Sequence, residues 1–325
     1  MTLTASGSSD KFCYCVIDNR RVSNLDALFG TEVIKALQSA LSPSLDALFI
    51  FCSLLGENYI YMVLIAIIYW CLNKKAGATV AYVLLASAYL NYWLKMSFSM
   101  NRPPSEYRII LKNEISHSFP SGHVQNAIAF WGWVELKFRK VRVQALFSAL
   151  VFLVGLSRIY LGVHYLGDVL GATFFGLIFL IVVNKAVPFL EGKFSTTEWL
   201  RCYLMPIVSV LLFGLSFVVF PDTTNGNSAL VCGYLCGFSL GVSSESKMVK
   251  ISVDISLRTK AIRSTVGLIT IFGLYPVISY VLDLTPFVAQ VYIHFLRYAI
   301  VAFTTAFIMS LFFKFIEKRS TQILI

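Results

Sequence analysis

Charge is scarce in this chain. Asp, Glu, Lys and Arg make up 14% of its 325 residues, while 57% are hydrophobic, 15% are aromatic and the mean hydropathy is +0.73. A soluble fold could not hide so much apolar surface, so soluble classes are excluded and an all-α, polytopic membrane helix bundle is expected. Acidic residues are scarcer still, 17 against 27 Lys and Arg, for a net charge of +10. No basic patch interleaved with aromatics lies outside the apolar segments, so no nucleic acid partner is expected. The excess is assigned to loops on one side of a lipid bilayer. Cysteine is sparse and odd in number, at positions 13, 15, 52, 71, 202, 232 and 236. Cys52, Cys71, Cys202, Cys232 and Cys236 lie in or beside apolar segments and read as small buried hydrophobes rather than disulfides. Cys13 and Cys15 have no second pair, so no zinc site is expected there. The first residues hold no basic stretch followed by an apolar run, so no cleavable signal peptide is expected.

What the chain does have is a succession of long apolar runs. Residues 1–22 are polar and without pattern. A helix can start at Ser23, Asn24 or Asp26, with Leu25, Leu28, Phe29, Val33, Ile34, Leu37 and Leu41 on one side and Glu32, Lys35 and Gln38 on the other. Too polar to span, it reads as an interfacial N-terminal helix stopped at Ser42-Pro43. Residues 45–72 form either one long tilted helix or an interfacial helix followed by a short span. Further spans are expected near 76–94, 121–136, 143–156, 164–183, 203–220, 228–242, 264–282 and 287–313, about nine in all. The chain then divides into an N-terminal tail with interfacial helices (1–55), a core carrying the polar motifs (56–198) and additional C-terminal transmembrane helices (199–325).

With alternating spans, the basic residues fall unevenly. One side collects Lys74, Lys75, Lys137, Arg139, Lys140, Arg142, Lys185, Lys193, Arg201, Lys247, Lys250, Arg258, Lys260, Arg263, Lys314, Lys318 and Arg319. The other holds Lys95, Arg102, Arg108, Lys112 and Arg158, with Lys11, Arg20, Arg21 and Lys35 near the N-terminus. The positive-inside rule puts the first set in the cytoplasm and the loops 95–123 and 158–164 on the extracytoplasmic or lumenal face, together with the N-terminus.

Those sparse outer cations stand beside unusual neighbours. An apolar run ends at Ser157-Arg158, and the next opens with His164 and Asp168, four apart. On a helix such residues share a face, so the Asp168 carboxylate can hold one imidazole nitrogen and leave the other free as base or nucleophile. Lys95 ends the 76–94 span and Arg102 follows at i+7, two turns on if the helix continues. Pro120-Ser121-Gly122-His123 suits a helix start, where exposed N–H groups and the positive end of the dipole attract phosphate. Topology brings the three stretches to one membrane face, and their natural ligand is a phosphoryl group clamped by Lys95, Arg102 and Arg158. Each stretch alone also reads as interfacial anchoring, snorkelling or an ordinary helix cap.

Taken together, Lys95-(six residues)-Arg102-Pro103, Pro120-Ser121-Gly122-His123 and Ser157-Arg158-(five residues)-His164-(three residues)-Asp168 resemble the three motifs of the type 2 phosphatidic acid phosphatase superfamily. That superfamily includes vanadium-dependent haloperoxidases and glucose-6-phosphatase. The resemblance covers roughly residues 56–184, and the segments 55–59 and 69–75 are similar to a prokaryotic membrane branch of the family. It implies a membrane lipid phosphatase in which His164 attacks phosphorus, Asp168 orients it, and His123 serves as acid and then base. Lys95, Arg102, Ser121, the Gly122 N–H and Arg158 would hold the phosphate oxygens, and neither metal nor cofactor is needed because these cations supply the positive charge. His117 reads as a solvated loop histidine.

A site at the membrane surface implies a lipid phosphate or pyrophosphate substrate: phosphatidate-like, phosphatidylglycerol phosphate, isoprenoid or sphingoid. Phe98, Tyr107, Phe119, Tyr160 and Tyr165 could line its approach, although an interfacial aromatic belt explains most of them. Downstream, His294 and Arg297 with Asp283 as a possible counter-charge read as outer-interface residues, and Gly233, Gly237 and Gly241 as a helix-packing stripe. Two other classes use the same scaffold: a phosphotransferase with a non-water acceptor, and a non-enzymatic lipid-binding protein. The intact His123, His164 and Asp168 argue against the second, and a haloperoxidase would be expected in a soluble chain.

Overall fold

The computed structural model describes residues 26–109, 116–137, 140–194, 198–220, 227–284 and 290–323, with side chains undescribed at 191–202, 283 and 319–323. The tail 1–22, Cys13, Cys15, Lys112 and Arg139 lie outside the described residues, as do the side chains of Cys202 and Asp283.

Among the described residues the secondary structure is entirely helical. In chain order, α1 is Glu32–Leu41, α2 Asp46–Leu54, α3 Asn58–Leu72 and α4 Lys74–Phe98. Next, α5 runs through Gly122–Ala127, Ile128–Gly132 and Trp133–Lys137, followed by α6 (Val141–Tyr160) and α7 (Leu166–Phe194). The remaining helices are α8 (Glu198–Val219), α9 (Asn227–Ser244), α10 (Leu257–Asp283) and α11, which runs through Gln290–Phe303, Thr304–Ile308 and Met309–Ile323.

Four helices are long and apolar enough to cross a membrane, at Val141–Tyr160, Leu166–Leu190, Leu257–Leu282 and Gln290–Lys318. The pair Asp46–Leu54 and Asn58–Leu72 passes the same test jointly, but it is bent by 51°. Of the two expected forms of 45–72, one continuous tilted helix is not seen: two helices meet at a sharp corner at Gly56-Glu57, an arrangement compatible with a short helix followed by a short span. The other four expected spans are helices that are shorter or more polar, as in α4, where Ser87, Asn91 and Lys95 are buried. Mid-helix polar side chains such as Gln125, Asn126, Ser209, Ser216 and Ser239 are likewise buried against protein. Large apolar side chains such as Phe152, Phe174, Ile181, Val218 and Ile269 are exposed on the outer faces, as a lipid-facing surface requires. This is an integral membrane helix bundle.

The N-terminal helix is also shorter than expected. One helical turn at 26–29 closes on the bond from Gly30 N to Asp26 O, and α1 starts afresh at Glu32. Its amphipathic pattern buries Ile34 completely, and Leu37 and Leu41 pack with Tyr160, Leu161 and Val163. Gln38 donates through one amide nitrogen to the carbonyls of Tyr107 and Tyr160, both at 2.8 Å.

The main core joins the motif-bearing helices to the C-terminal ones. Trp70 is fully buried, donates to Thr305 O at 2.9 Å and meets Phe313 edge-on at 5.5 Å. The glycine stripe behaves as expected: Gly233 and Gly237 lie directly against the α11 main chain at Phe295 and Ala299, leaving no room for a Cβ. Cys52, Cys71 and Cys232 are buried thiols, as expected, and Cys236 is partly buried.

Candidate active site

The site forms where α4, α5, α6 and α7 end together. At the end of α6 the chain turns through Gly162, whose φ of +68° is left-handed and whose missing Cβ lets the Tyr107 carbonyl approach. The backbone then hooks back, with Val163 N and His164 N both donating to Arg158 O at 3.2 Å. This presents His164 just before α7, and Asp168 follows in its first turn.

His164 and Asp168 are almost wholly buried, and Nδ1 lies 3.1 Å from Asp168 Oδ2. The same oxygen accepts from Tyr165 N at 2.9 Å and from the Ser118 hydroxyl. On the opposite edge of the ring, Arg102 NH1 stands 3.3 Å from Nε2. A guanidinium can only donate, so Nε2 accepts and Nδ1 carries the proton toward Asp168. Burial first, then the charges of Arg102, Lys95 and Arg158, hold the imidazole well below its ordinary pKa. Asp168 acts in the other direction, but one carboxylate is outweighed by burial and three cations. The resulting ring is neutral, oriented, and has its Nε2 lone pair facing positive charge.

The cations arrive by different routes. Lys95 lies in the last turn of α4, nearly buried, and donates to the carbonyls of His117 and Ser118. The helical route expected for Arg102 is not taken: α4 stops at Phe98, Ser99 turns left-handed at φ 49°, and Arg102 reaches the site on the following loop. There it donates to Ser116 O (2.8 Å), Ser116 Oγ (2.9 Å) and Val163 O (3.1 Å) besides facing His164. Arg158 is 3% exposed and donates to Ser53 Oγ at 2.6 Å.

Ser121 occupies the N-cap position of α5, but its hydroxyl makes no capping bond. That Oγ is buried and has no hydrogen-bond partner among the described residues, so an ordinary cap does not account for it. Its N–H donates to Asp168 O at 3.1 Å, tying α5 to α7. Gly122 passes close to Asn91, whose Oδ1 would lie 3.0 Å from a Cβ. Asn91 Nδ2 donates to Pro120 O (3.2 Å) and Gln125 Oε1 (2.9 Å), and Gln125 donates to Ser87 O at 3.1 Å. His123 follows one residue into α5, with Nε2 3.4 Å from Glu57 Oε1.

The motif residues expected to meet therefore cluster around one locus. Contributors outside the three motifs include Ser116 on Arg102, Ser118 on Asp168, Ser53 on Arg158 and, from the 55–59 segment, Glu57 beside His123. His117 takes part through its main-chain carbonyl. Tyr160 does not line an open approach, being fully buried, stacked on Phe49 at 4.2 Å and donating to Asp46. Phe119 joins Phe98 (4.8 Å) and Phe175 (6.3 Å), and Tyr165 meets Phe29 (6.3 Å), in an aromatic group beside the site. Arg297 is buried in the second turn of α11, with His294 half-buried one turn earlier. Among the described residues no group of three or more His, Cys, Asp or Glu side chains could hold a metal ion.

Comparison with known proteins bears on the same residues. Sphingosine-1-phosphate phosphatase 1 of Rattus norvegicus is 25% identical over 267 residues, covering 78% of this chain and 61% of that protein. Phosphatidylglycerophosphatase B of Bacillus subtilis is 41% identical over 83 residues, 23% of this chain and 41% of that protein. A dihydrosphingosine 1-phosphate phosphatase of Schizosaccharomyces pombe is 28% identical over 208 residues, 58% of this chain and 49% of that protein. The chain thus spans between two-fifths and three-fifths of these relatives' lengths, and they are not confined to prokaryotes. Among solved structures, LpxE of Aquifex aeolicus is 24% identical and covers 47% of this chain and 93% of that one, but at a TM-score of 0.39 the likeness carries no argument. Two family descriptions also match: the PAP2 superfamily over residues 76–192, and the transmembrane extension of PAP2 superfamily phosphatases over 229–320. The second reaches well past the stretch that the motifs alone delimit, and the two together take in more than half of the sequence. With all three motifs gathered at one site inside the first match, the chain belongs to the PAP2 superfamily.

Proposed function

We propose that this protein is a membrane phosphatase that hydrolyses a lipid phosphate monoester through a phosphohistidine on His164. One observation carries the reading. His164 is tied at Nδ1 to Asp168 and faces Arg102 with Nε2, so its lone pair points into a cluster of cations. A phosphate dianion entering there takes over Arg102, along with Lys95, Arg158, the Ser121 hydroxyl and the Gly122 N–H, and places phosphorus before Nε2. Nε2 attacks, the P–O bond to the alcohol breaks, and His123 gives its proton to the departing alkoxide. Asp168 stabilises the positive ring that results, and the cations hold the equatorial oxygens as charge spreads over them. Water then attacks phosphorus from the vacated side, His123 takes its proton, and phosphate leaves with His164 restored.

The lipid tail is supported by the site's place at the ends of apolar helices, beside the Phe98, Phe119 and Phe175 group. Sphingoid-base phosphates are the first substrates to test, because the long matches are to phosphatases named for them. The distribution of Lys and Arg favours an extracytoplasmic or lumenal site.

The test is phosphate release by the purified protein in detergent with EDTA present, across sphingoid-base phosphates, phosphatidate, phosphatidylglycerol phosphate and isoprenoid diphosphates, beside His164→Ala. Activity that survives EDTA and vanishes in the variant supports the reading. Absence of release from every lipid by folded protein overturns it.

A further inference from the structure

The corner between α2 and α3 lies outside the three motifs, in the 55–59 segment, yet it touches two motif residues, Arg158 and His123. Ser53, one turn before it, accepts from Arg158. Gly56 lies against the His123 ring: a Cβ there would stand 3.2 Å from His123 Cδ2, 3.3 Å from its Cβ and 2.7 Å from Val154 Cγ1. Glu57 then sets Oε1 3.4 Å from His123 Nε2, both side chains being mostly buried. Asn58 accepts from Asn126 Nδ2 at 3.4 Å, and Asn126 in turn accepts from Ser87 Oγ at 3.0 Å, so the corner is anchored to α5 one turn beyond His123. The Cδ2–Nε2 edge of the imidazole therefore rests on a shelf made by Gly56 and Glu57.

A carboxylate in such a place needs a reason. Beside a site that gathers a phosphate dianion it repels the substrate, unless a protonated ring stands between the two. We propose that Glu57 is the positioning residue of His123. Its carboxylate holds the Nε2–H, and Nδ1 is thereby the atom that passes a proton to the leaving alkoxide as the P–O bond breaks, then takes one from water as the P–N bond breaks. At 3.4 Å the two atoms are within ion-pair distance, and protonation of the ring is expected to draw them into a charge-assisted hydrogen bond. This rests on the reading of His123 as general acid and base.

Leaving-group dependence tests it in the purified full chain. A proton donor matters greatly for an alkyl lipid phosphate and little for p-nitrophenyl phosphate, whose leaving group departs without one. Glu57→Gln is expected to lose roughly 10- to 100-fold in kcat/KM on the lipid ester, less than the 10²–10⁴ that general acid–base catalysis is worth, and under about threefold on the aryl ester. Glu57→Asp, which keeps the charge and guards against misfolding, is expected to lose less, again on the lipid ester alone. The double variant with His123→Ala is expected to be no slower than His123→Ala by itself.

Equal losses on both esters, an unchanged rate on the lipid ester, or a double variant that multiplies the two effects would overturn the role of Glu57 while leaving His123 in place. A His123→Ala variant that loses equally on both esters would remove the reading of His123 and this proposal with it.

Discussion

Lys74 and Lys95 stand at opposite ends of α4, about 30 Å apart along its axis, and they are used in opposite ways. Lys74 meets the buried carboxylate of Glu245 at 2.9 Å, and Glu245 also takes the N–H of Ile251 at 2.8 Å. Nearby, Arg263 grips Glu317 with two parallel bonds of 2.7 and 2.8 Å, and donates to the carbonyls of Trp70 and Ser252. Lys74 and Glu245 are far apart in sequence, and Arg263, paired with Glu317 between α10 and α11, also holds the Trp70 carbonyl, so these contacts lock the motif-bearing helices to the C-terminal ones. At the Lys95 end, the bonds of Lys95, Arg102 and Arg158 include main-chain carbonyls and hydroxyls, and the three cations gather around His164 and Asp168. Carbonyls orient a cation without cancelling its charge. One end matches cation to carboxylate across helices, and the other gathers three cations and two histidines around two carboxylates, a cationic excess suited to an anionic ligand.

That contrast can be broken or sharpened by experiment. The largest effect belongs to His164→Ala, expected to lower kcat at least ~10⁴-fold on a lipid phosphate, since it removes the group that forms the covalent bond. Arg102→Ala should cost about 10²–10³ in kcat, with little restored by Arg102→Lys, because a point charge cannot reproduce a planar fork. If the two ends differ as described, its thermal midpoint in detergent should move less than that of Arg263→Ala. The latter should lose about 3 kcal/mol of stability and unfold several degrees earlier, with kcat nearly intact in the protein that remains folded. A strong loss of kcat in Arg263→Ala would erase the distinction.

The smallest effect is a pH dependence of stability. His164 stays neutral in the folded protein because its pKa is held below the ordinary value, while the unfolded chain takes up a proton near pH 6.5. The unfolded state therefore binds more protons in that window. Stability from this group is complete above about pH 6.5 and falls as the pH drops toward the folded-state pKa, by up to about 1.4 kcal/mol per pH unit. Thermal scans from pH 7.5 to 5 should show this slope, and His164→Ala should flatten it.

Much of the site was legible because its signals are local. The i,i+4 spacing of His164 and Asp168, and the short motifs around Lys95 and His123, name the chemistry without any knowledge of packing. Long-range partners carry no such mark. Nothing near Ser118 says that its hydroxyl will reach Asp168, and Glu57 stands 66 positions from His123. A weaker signal was present: Gly-Glu-Asn interrupts an apolar run at 56–58, and Ser87, Asn91, Gln125 and Asn126 sit inside apolar helices, where polar groups need partners. For Arg102 the register to Lys95 is two helical turns, but the helix ends first, and residue spacing is blind to a left-handed stop at a serine.

For anyone wishing to trim or transplant this catalytic unit, the α2–α3 corner sets the boundary. A fragment cut where the superfamily match begins, at residue 76, would carry every motif and yet leave behind Ser53, Gly56 and Glu57. It would also leave behind Gln38, whose amide staples the Tyr107 and Tyr160 carbonyls together. The smallest portable module thus begins before the first signature residue, by at least the length of three helices.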